Sequence, residues 1–372
     1  MTKTLSTQYQ MAIKLLSELI TMPSVSTTED QTATHLAGWF FANGMPYERI
    51  ANNVYSRNKY YDANKPTILL LSHHDTVSPS SSYTRDPFVA EIIDDKLYGL
   101  GSNDAGGALV TMLLTFSQFY HAKDLPFNLI VCAAAEEENS GTNGISRVLP
   151  ELGHIDFAIV GEPTSLQVAI AEKGLIVCDC IAIGKAGHAA RGEGDNAIIK
   201  AMKDILWLNT FQFDRVSPTL GAIKLTVSII EAGSKHNVVP DRCHFVLDIR
   251  TTDAYTNQEV IDVLKANLQS EIHPRSIRLK PSAIDKNHPL VQAILKLGSK
   301  TYGSPTTSDQ AVLNCPRVKF SPGDSARSHM ADEFIYTWQI KQGLAYFNQL
   351  FTNLSQNQTL LSPILKQEQH HG

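Results

Sequence analysis

The order of apolar segments predicts an α/β protein with an open, mostly parallel sheet, helices on both faces and an inserted ferredoxin-like domain. Early in the chain, short apolar runs typical of buried strands alternate with segments of helical spacing. The middle of the chain instead follows the order β-α-β-β-α-β, and the first pattern returns from Pro289. We therefore expect a discontinuous domain of residues 1–172 and 281–372, and an inserted domain of residues 173–280.

Each element follows from its own apolar period. In the first domain, helical spacing and short apolar runs predict, in chain order, a helix over 7–20, a strand over 67–71, a helix over 105–120, and strands over 127–134 and 157–160. In the insert, the same reasoning predicts strands over 175–183, 222–230, 243–249 and 276–279, and helices over 196–207 and 257–268. The last predicted elements are helices over 290–297 and from about 332 to 350.

Composition narrows the class of protein. The chain has 372 residues, of which 43% are hydrophobic and 19% charged, as in globular proteins of two or three domains. Its net charge of −5 argues against a nucleic-acid binder, and no apolar run reaches the roughly 18 residues that a membrane span needs. Five scattered cysteines and a polar N-terminus without signal-peptide features predict reduced thiols in a cytoplasmic protein.

Metal-ligand side chains follow three of the predicted strands. Residues 73–75 (His-His-Asp) follow the first, residues 136–138 (three Glu) follow the second, and Glu162 follows the third. A Ser-Asn-Asp cluster at 102–104 precedes the glycine-rich start of a helix. Because open sheets bind ligands at the carboxyl ends of their strands, we expect these groups to share one cleft. So many carboxylates together require a cation.

The side-chain types indicate which cation. Imidazole and carboxylate without thiolate suit zinc, and also cobalt or manganese, whereas calcium and magnesium rarely recruit His. There are more candidate ligands than one zinc ion uses. The sharper hypothesis is therefore a pair of metals bridged by a carboxylate, an arrangement that activates water and polarises a carbonyl group.

Seven short motifs carry a resemblance to a known family. They are Ser-His-His-Asp-Thr-Val at 72–77, Gly-Ser-Asn-Asp-Ala-Gly-Gly at 101–107, Glu-Glu-Glu at 136–138, Gly-Glu-Pro-Thr at 161–164, Gly-Lys-Ala-Gly-His at 184–188, Asn-Val-Val-Pro at 237–240 and His-Met-Ala-Asp-Glu at 329–333. In order and spacing the chain resembles the co-catalytic metallopeptidases, which include acetylornithine deacetylase, succinyl-diaminopimelate desuccinylase and bacterial glutamate carboxypeptidase. The segment 161–167 is most similar to the acetylornithine deacetylase branch.

The resemblance implies a zinc-peptidase fold with two Zn²⁺ ions per chain, for which Co²⁺ or Mn²⁺ can substitute. It implies that His73 and Glu162 bind one metal, that Glu138 and His329 bind the other, and that Asp104 bridges the two.

The resemblance also implies roles around the metals. Asp75 would hold the imidazole of His73 from behind, and Glu137 would be the general base that moves a proton from water to the leaving amine. The insert would be a lid and dimerisation domain. In a homodimer, His188 would reach the partner's site and stabilise the oxyanion with help from Asn237, while Arg250 would bind the substrate carboxylate.

Three of these assignments have alternatives. The family usually has Asp-Glu-Glu where this chain has three Glu, and the glycines at 141 and 144 favour the register in which Glu136 takes the Asp position. Arg250 is also compatible with a structural ion pair. His188, flanked by glycines, is also typical of a turn residue.

The implied activity is removal of an acyl group from the α-nitrogen of a small-molecule amino acid, with N2-acetylornithine in arginine biosynthesis as the leading substrate. Acylcitrulline and succinylated substrates such as succinyl-diaminopimelate stay open, as does an aminoacylase or dipeptidase activity. A catalytically silent metal-binding protein is the rival from another class, and the retained base argues against it.

Overall fold

The computed structural model describes residues 4–356, which divide into two compact units. The first contains the described residues up to Ile170, Ile284–Tyr302 and those from Ser308 onward, and the second contains Ala171–Ala283 and Gly303–Thr307. The short segment 303–307 is a difference from the expected boundaries. It belongs to the second unit because it bonds to Lys173, whose N–H donates to the Ser304 carbonyl at 3.1 Å and whose carbonyl accepts from the Thr307 hydroxyl.

Eight α-helices lie within residues 4–356. They are Leu5–Ile20 (α1), Asp30–Ala42 (α2), Gly107–Phe119 (α3), Ile145–Leu152 (α4), Ala197–Thr210 (α5), Asn257–Asn267 (α6), Pro289–Leu295 (α7) and Thr337–Gln356 (α8). None of these helices is both long and apolar enough to span a bilayer.

The strands within residues 4–356 form four sheets. They are Glu48–Ile50 (β1), Asn53–Arg57 (β2), Thr67–His73 (β3), Glu91–Ile93 (β4), Lys96–Tyr98 (β5), Asn128–Ala134 (β6), Phe157–Val160 (β7), Val168–Glu172 (β8), Gly174–Ile183 (β9), Gly187–His188 (β10), Lys224–Ala232 (β11), Val238–Val239 (β12), Arg242–Thr251 (β13), Glu271–Pro274 (β14), Ser282–Ala283 (β15), Thr301–Ser304 (β16), Arg317–Lys319 (β17) and Phe334–Tyr336 (β18).

The main sheet has the order β1-β2-β6-β3-β7-β17-β8-β15, and β16 also pairs with β8. Its centre, β6-β3-β7-β17, is parallel, and the pairs toward both edges are antiparallel. The predicted open α/β sheet is therefore confirmed.

Helices cover both faces of this sheet, as predicted. Along β3, Leu70 packs into the cluster that contains α1, α3 and α8, while Leu69 and Leu71 pack into the cluster that contains α4. Successive residues of a strand point to opposite faces, so an uninterrupted apolar run is what a strand buried on both faces requires.

The second unit has the β-α-β-β-α-β order that the sequence predicts. Its four-stranded sheet has the order β11-β13-β9-β14, and every pair in it is antiparallel, which is the ferredoxin-like arrangement. Alternate residues of β9, such as Cys178 and Cys180, are buried in its core. A capping box of Thr256 and Glu259 fixes the start of α6.

Two predicted elements are wrong. The strand expected over 276–279 lies earlier, at β14, where Ile272 enters the core and Arg275 bonds to β9. The helix expected from about 332 begins only at Thr337, because Phe334–Tyr336 is a strand that pairs with β5. There Ile335 is buried between half-exposed neighbours, a period of two that a helical interpretation overlooks.

Candidate metal centre

The parallel centre of the main sheet brings the three ligand-bearing strand ends together. His73 is the last residue of β3, and β3 lies between β6, which precedes Glu137, and β7, which precedes Glu162. The Nε2 atom of His73 is 3.9 Å from Glu137 Oε2 and 3.8 Å from Glu162 Oε1. The expected cleft at the carboxyl ends of the strands is therefore present.

Asp104 enters this cleft from the irregular turn Ser102–Gly106 that precedes α3. Its Oδ1 atom is 3.4 Å from His73 Nε2, and its Oδ2 atom is 3.6 Å from His329 Nε2. His329 Nε2 is in turn 3.0 Å from Glu138 Oε2. Asp104 thus stands between the two imidazoles, where a bridging ligand is expected.

The donor set fits a metal centre. Within residues 4–356, the buried Nε2 atom of His73 makes no hydrogen bond although three carboxylates surround it. His73, Asp104 and Glu138 bring ligand atoms within 4.8 Å of one another, and so do His73, Glu137 and Glu162. Such an unpartnered nitrogen among crowded carboxylates is what a cation would satisfy.

The shifted pKa values of the cleft residues also indicate a site for a cation. Burial raises the pKa of Glu162 to about 8, with Asp104 adding to the rise and His73 opposing it. Burial and the nearby Glu162 raise the pKa of Glu137 well above its usual range. The hydrogen bond to Glu138 raises the pKa of His329 to about 9. Without a cation, Glu137 and Glu162 therefore take up protons more readily than exposed carboxylates do.

Asp75 supports the cleft in a different way from the one expected. The Nδ1–H of His73 donates to the main-chain carbonyl of Asp75 at 2.9 Å, whereas the carboxylate lies 3.6 Å from that nitrogen. The carboxylate instead accepts from the N–H groups of Glu137 and Glu138, each at 3.1 Å, and from Ser26. The imidazole keeps Nε2 available as a ligand, and Asp75 fixes the acidic loop.

Glu136 points away from the metal-type residues. Its carboxylate accepts from the main-chain and side-chain N–H groups of Asn143. A side chain at Gly141 would collide with it, because a Cβ atom there would lie 1.9 Å from Glu136 Oε2. This placement supports the register in which Glu137 and Glu138 face the cleft.

His74 is buried and bonds outside the cleft, to Thr32 Oγ1 and the carbonyl of Asn52, both at 2.8 Å. Burial lowers the pKa of His74 to about 4, so it is neutral at physiological pH.

Glu333 is a supporting residue that the sequence analysis missed. It is 2% exposed, and its carboxylate accepts from the N–H groups of Gly101, Asn103 and Asp104 at 2.8–3.0 Å. Burial and the nearby Asp104 raise the pKa of Glu333 to about 8. It holds the turn that presents Asp104. The only signal was its place in the motif at 329–333.

The other predicted residues lie in the second unit. His188 is exposed on β10, which pairs with β12, and the N–H of Ala189 donates to the carbonyl of Asn237 at 3.1 Å. His188 and Asn237 are therefore neighbours. Arg250 makes two bonds to Asp248, at 2.8 and 2.9 Å, which is the ion pair considered as its alternative role.

Residues 69–353 match the family model described as peptidase family M20/M25/M40. The chain belongs to this family. It is a metal-dependent hydrolase that acts on amide bonds, and the residues described above are a candidate metal site.

Relatives in this family align over most of the chain. Acetylornithine deacetylase from Shigella sonnei is 31% identical over 366 residues, which cover 88% of this chain and 94% of the relative. The acetylornithine deacetylase of Proteus mirabilis is 28% identical and covers 92% of this chain and 96% of its own.

Solved structures share the fold at lower identity. An M20 family metallo-carboxypeptidase from Sulfolobus solfataricus has a TM-score of 0.75 and 19% identity, covering 93% of this chain and 99% of its own. A Bacillus subtilis protein described as a dinuclear metal-binding peptidase of the M20 family has a TM-score of 0.71 and 14% identity, covering 94% and 99%.

Proposed function

We propose that this protein is a two-zinc deacylase that removes the acyl group from the α-nitrogen of an amino acid, with N2-acetylornithine in arginine biosynthesis as its leading substrate. The observation that carries the proposal is the position of Asp104 between His73 and His329. The length and identity of the match to acetylornithine deacetylases support this choice of substrate.

In this proposal each metal has three protein ligands. His73, Asp104 and Glu162 hold the first, while Asp104, Glu138 and His329 hold the second. Bound zinc, or cobalt or manganese in its place, activates water and polarises the carbonyl group of the amide.

Glu137 is the proposed proton carrier. Its carboxylate faces the imidazole of His73, with Oε2 3.9 Å from Nε2, so it lies beside the proposed metal site. It takes the proton of the attacking water and then delivers it to the leaving nitrogen as the amide bond breaks. The N–H groups of Glu137 and Glu138 bond to Asp75, which keeps the base in place.

The second unit is the proposed lid and dimerisation domain, with His188 acting in the partner's site. Its edge strand β11 exposes Ile229 and Ile230, at 48% and 52%. One face of α5 exposes three apolar side chains: Ile199, Met202 and Leu206. An unpaired edge beside exposed apolar side chains favours pairing with a second copy.

The cysteines support the proposed cytoplasmic location. All five are free thiols, and four of them are buried. A reducing compartment suits such a set.

A substrate panel tests the proposal. The zinc-loaded protein is assayed on the N2-acetyl and N2-succinyl forms of ornithine, citrulline and diaminopimelate, together with a dipeptide. We expect acetylornithine to react fastest, chelation to abolish activity and added zinc to restore it. Faster cleavage of the dipeptide would identify a peptidase, and no turnover by fully loaded protein would identify a silent metal binder.

A further inference from the structure

A single arginine connects the two segments that carry Asp104 and His329. Arg327 ends the short helical turn Ser325–Arg327, two residues before His329. Its Nη2 atom donates to Gln339 Oε1 at 2.7 Å, and its Nε and Nη2 atoms lie 3.4 and 3.3 Å from Asn103 Oδ1. Asn103 directly precedes Asp104, so the guanidinium group reaches from one ligand-bearing segment to the other.

Asn103 strengthens the same connection. Its Nδ2 group donates to the carbonyl of Asp324 at 3.0 Å, and its Oδ1 atom accepts from the N–H of Asp324 at 2.9 Å. Arg327 approaches this same oxygen, and the positive charge reinforces an acceptor that already holds the loop. Four hydrogen bonds thus join the turn before α3 to the loop before His329.

The guanidinium group is itself held in position. Gln339 lies on α8, is 8% exposed and also accepts from the N–H of Tyr336. The guanidinium carbon lies 5.0 Å from the ring centre of Phe334 and 5.4 Å from that of Tyr336. A planar guanidinium that is stacked and hydrogen-bonded in this way transmits the position of α8 to both loops.

We propose that Arg327 is a positioning residue that sets the separation of Asp104 and His329, and thereby the affinity of the second metal. This inference rests on the proposed two-metal function. Loss of an outer partner of metal ligands typically weakens metal affinity about 10–100-fold. We expect that loss for the second metal in Arg327→Met, with the first metal retained.

Two explanations of the role of Arg327, by its charge and by its geometry, predict different results. If Arg327 acted only by its positive charge, Arg327→Met would bind metal more tightly and Arg327→Lys would bind as the unaltered protein does. If Arg327 acts through the planar arrangement of its guanidinium N–H donors, Arg327→Lys also binds the second metal more weakly. An ammonium group cannot span Gln339 and Asn103 in one plane.

The experiment titrates metal-free full-length protein with zinc against a chromophoric chelator, and with Co²⁺ followed by its visible absorption. Arg57→Met is the matched control, because Arg57 also lies over an aromatic ring, Tyr55 at 5.2 Å, and bonds to Glu48. The unaltered protein should bind two metals per chain, and the control variant should bind each of them with the same affinity as the unaltered protein does. Arg327→Met should bind the second metal 10–100-fold more weakly and show an altered Co²⁺ spectrum.

Gln339→Leu provides a second variant that leaves Arg327 intact but removes its anchor. Like Arg327→Met, it should lower the affinity for the second metal. If Arg327→Met does not fold, Gln339→Leu tests the inference in its place. Two metals bound at unaltered affinity in Arg327→Met, or in Gln339→Leu in that case, would overturn the inference. Fewer than two metals in the unaltered protein would instead contradict the proposed function.

Discussion

The carboxylates around the metal centre differ in what they bind. Asp75 and Glu333 accept main-chain N–H groups from the neighbouring loops. Glu137 and Glu162 instead face the imidazole of His73. The first pair therefore shapes the cleft, and the second pair supplies the groups that we propose to hold metal and to exchange protons.

Changing Glu137 to Gln is expected to impair turnover, whereas changing Glu138 to Gln is expected to impair metal binding. Glu137→Gln should keep its metals but slow turnover about 10²–10⁴-fold, because the proton carrier is lost. Glu138→Gln should lose the second metal. Metal analysis and steady-state rates check both, with Glu136→Gln as the control that keeps metals and most activity. Loss of turnover in the Glu136 variant and not in the Glu137 variant would show that the register is shifted by one.

Glu29 is a buried carboxyl group whose cost to stability depends on pH. It is 0% exposed, and neither of its oxygens is hydrogen-bonded within residues 4–356. Burial raises its pKa, and the nearby Asp75 and Glu136 add to the rise. Between the pKa of the unfolded side chain and the raised pKa of the folded one, the folded state therefore binds more protons than the unfolded state. The free energy of unfolding falls as pH rises through this range.

Glu29→Gln should accordingly stabilise the protein at neutral pH. We expect the gain because the amide carries no charge, so the variant lacks the free-energy cost of ionising a buried carboxyl group. The gain should disappear below about pH 4, where the carboxyl group is neutral in both states. Denaturation at pH 7.5 and pH 4 measures it, with Glu151→Gln, an exposed position, as the control. An equal gain at both pH values would exclude the charge as its cause.

At the scale of elements, one charged group connects the strands of the four-stranded sheet. Asp179 on β9 bonds to His244 on β13 at 3.0 Å and to Arg275, just after β14, at 2.8 and 3.0 Å. The hydrogen bonds from Arg275 and then His244 hold the pKa of Asp179 well below its usual range. The group spans three neighbouring strands, so it stabilises the pairing register.

Asp179→Asn should lower the stability of the sheet only where the carboxylate is charged. Because the side chains are partly exposed and screened, we expect a loss of about 0.5–1 kcal/mol at pH 7. A lowered pKa gives stability that is present above the unfolded pKa and is lost as pH falls through the folded one, so the difference should shrink below about pH 4. Denaturation across pH measures it, and Asp214→Asn, exposed in the same unit, should show neither effect.

At the scale of the whole molecule, the residues assigned to the proposed active site are divided between the two units. The metal-type residues belong to the first unit, whereas His188, Asn237 and Arg250 belong to the second. If His188 acts in the partner's site, the dimer is the smallest active form.

Mixing two inactive variants tests this arrangement. In a mixed dimer of His188→Ala and Glu137→Gln chains acting in trans, one site carries both defects and the other carries none. Activity should therefore reappear on subunit exchange, up to about half per mixed dimer. Acting in cis, every site keeps one defect, so no recovery in dimers shown to exchange chains would contradict the proposal. His244→Ala, in the same unit as His188, is the control variant and should stay active alone.

The sequence by itself determined the buried central strands and the chemistry at their ends. Uninterrupted apolar runs predicted the buried strands β3, β6 and β7, because burial on both faces leaves no place for polar side chains. The ligand-type residues at their ends predicted a shared cleft, since the carboxyl ends of neighbouring parallel strands meet at one edge.

Only the tertiary structure decided which distant residues support that cleft. Glu333 binds the turn at 101–104, and Arg327 reaches Asn103, over more than 200 residues of sequence. The same holds for β14, whose position along the chain is decided by pairing with β9, and for β18, which was expected to be helical and is a strand because it pairs with β5. Local periodicity reports which side of an element is buried, whereas partner and register depend on contacts that form only when the chain is folded.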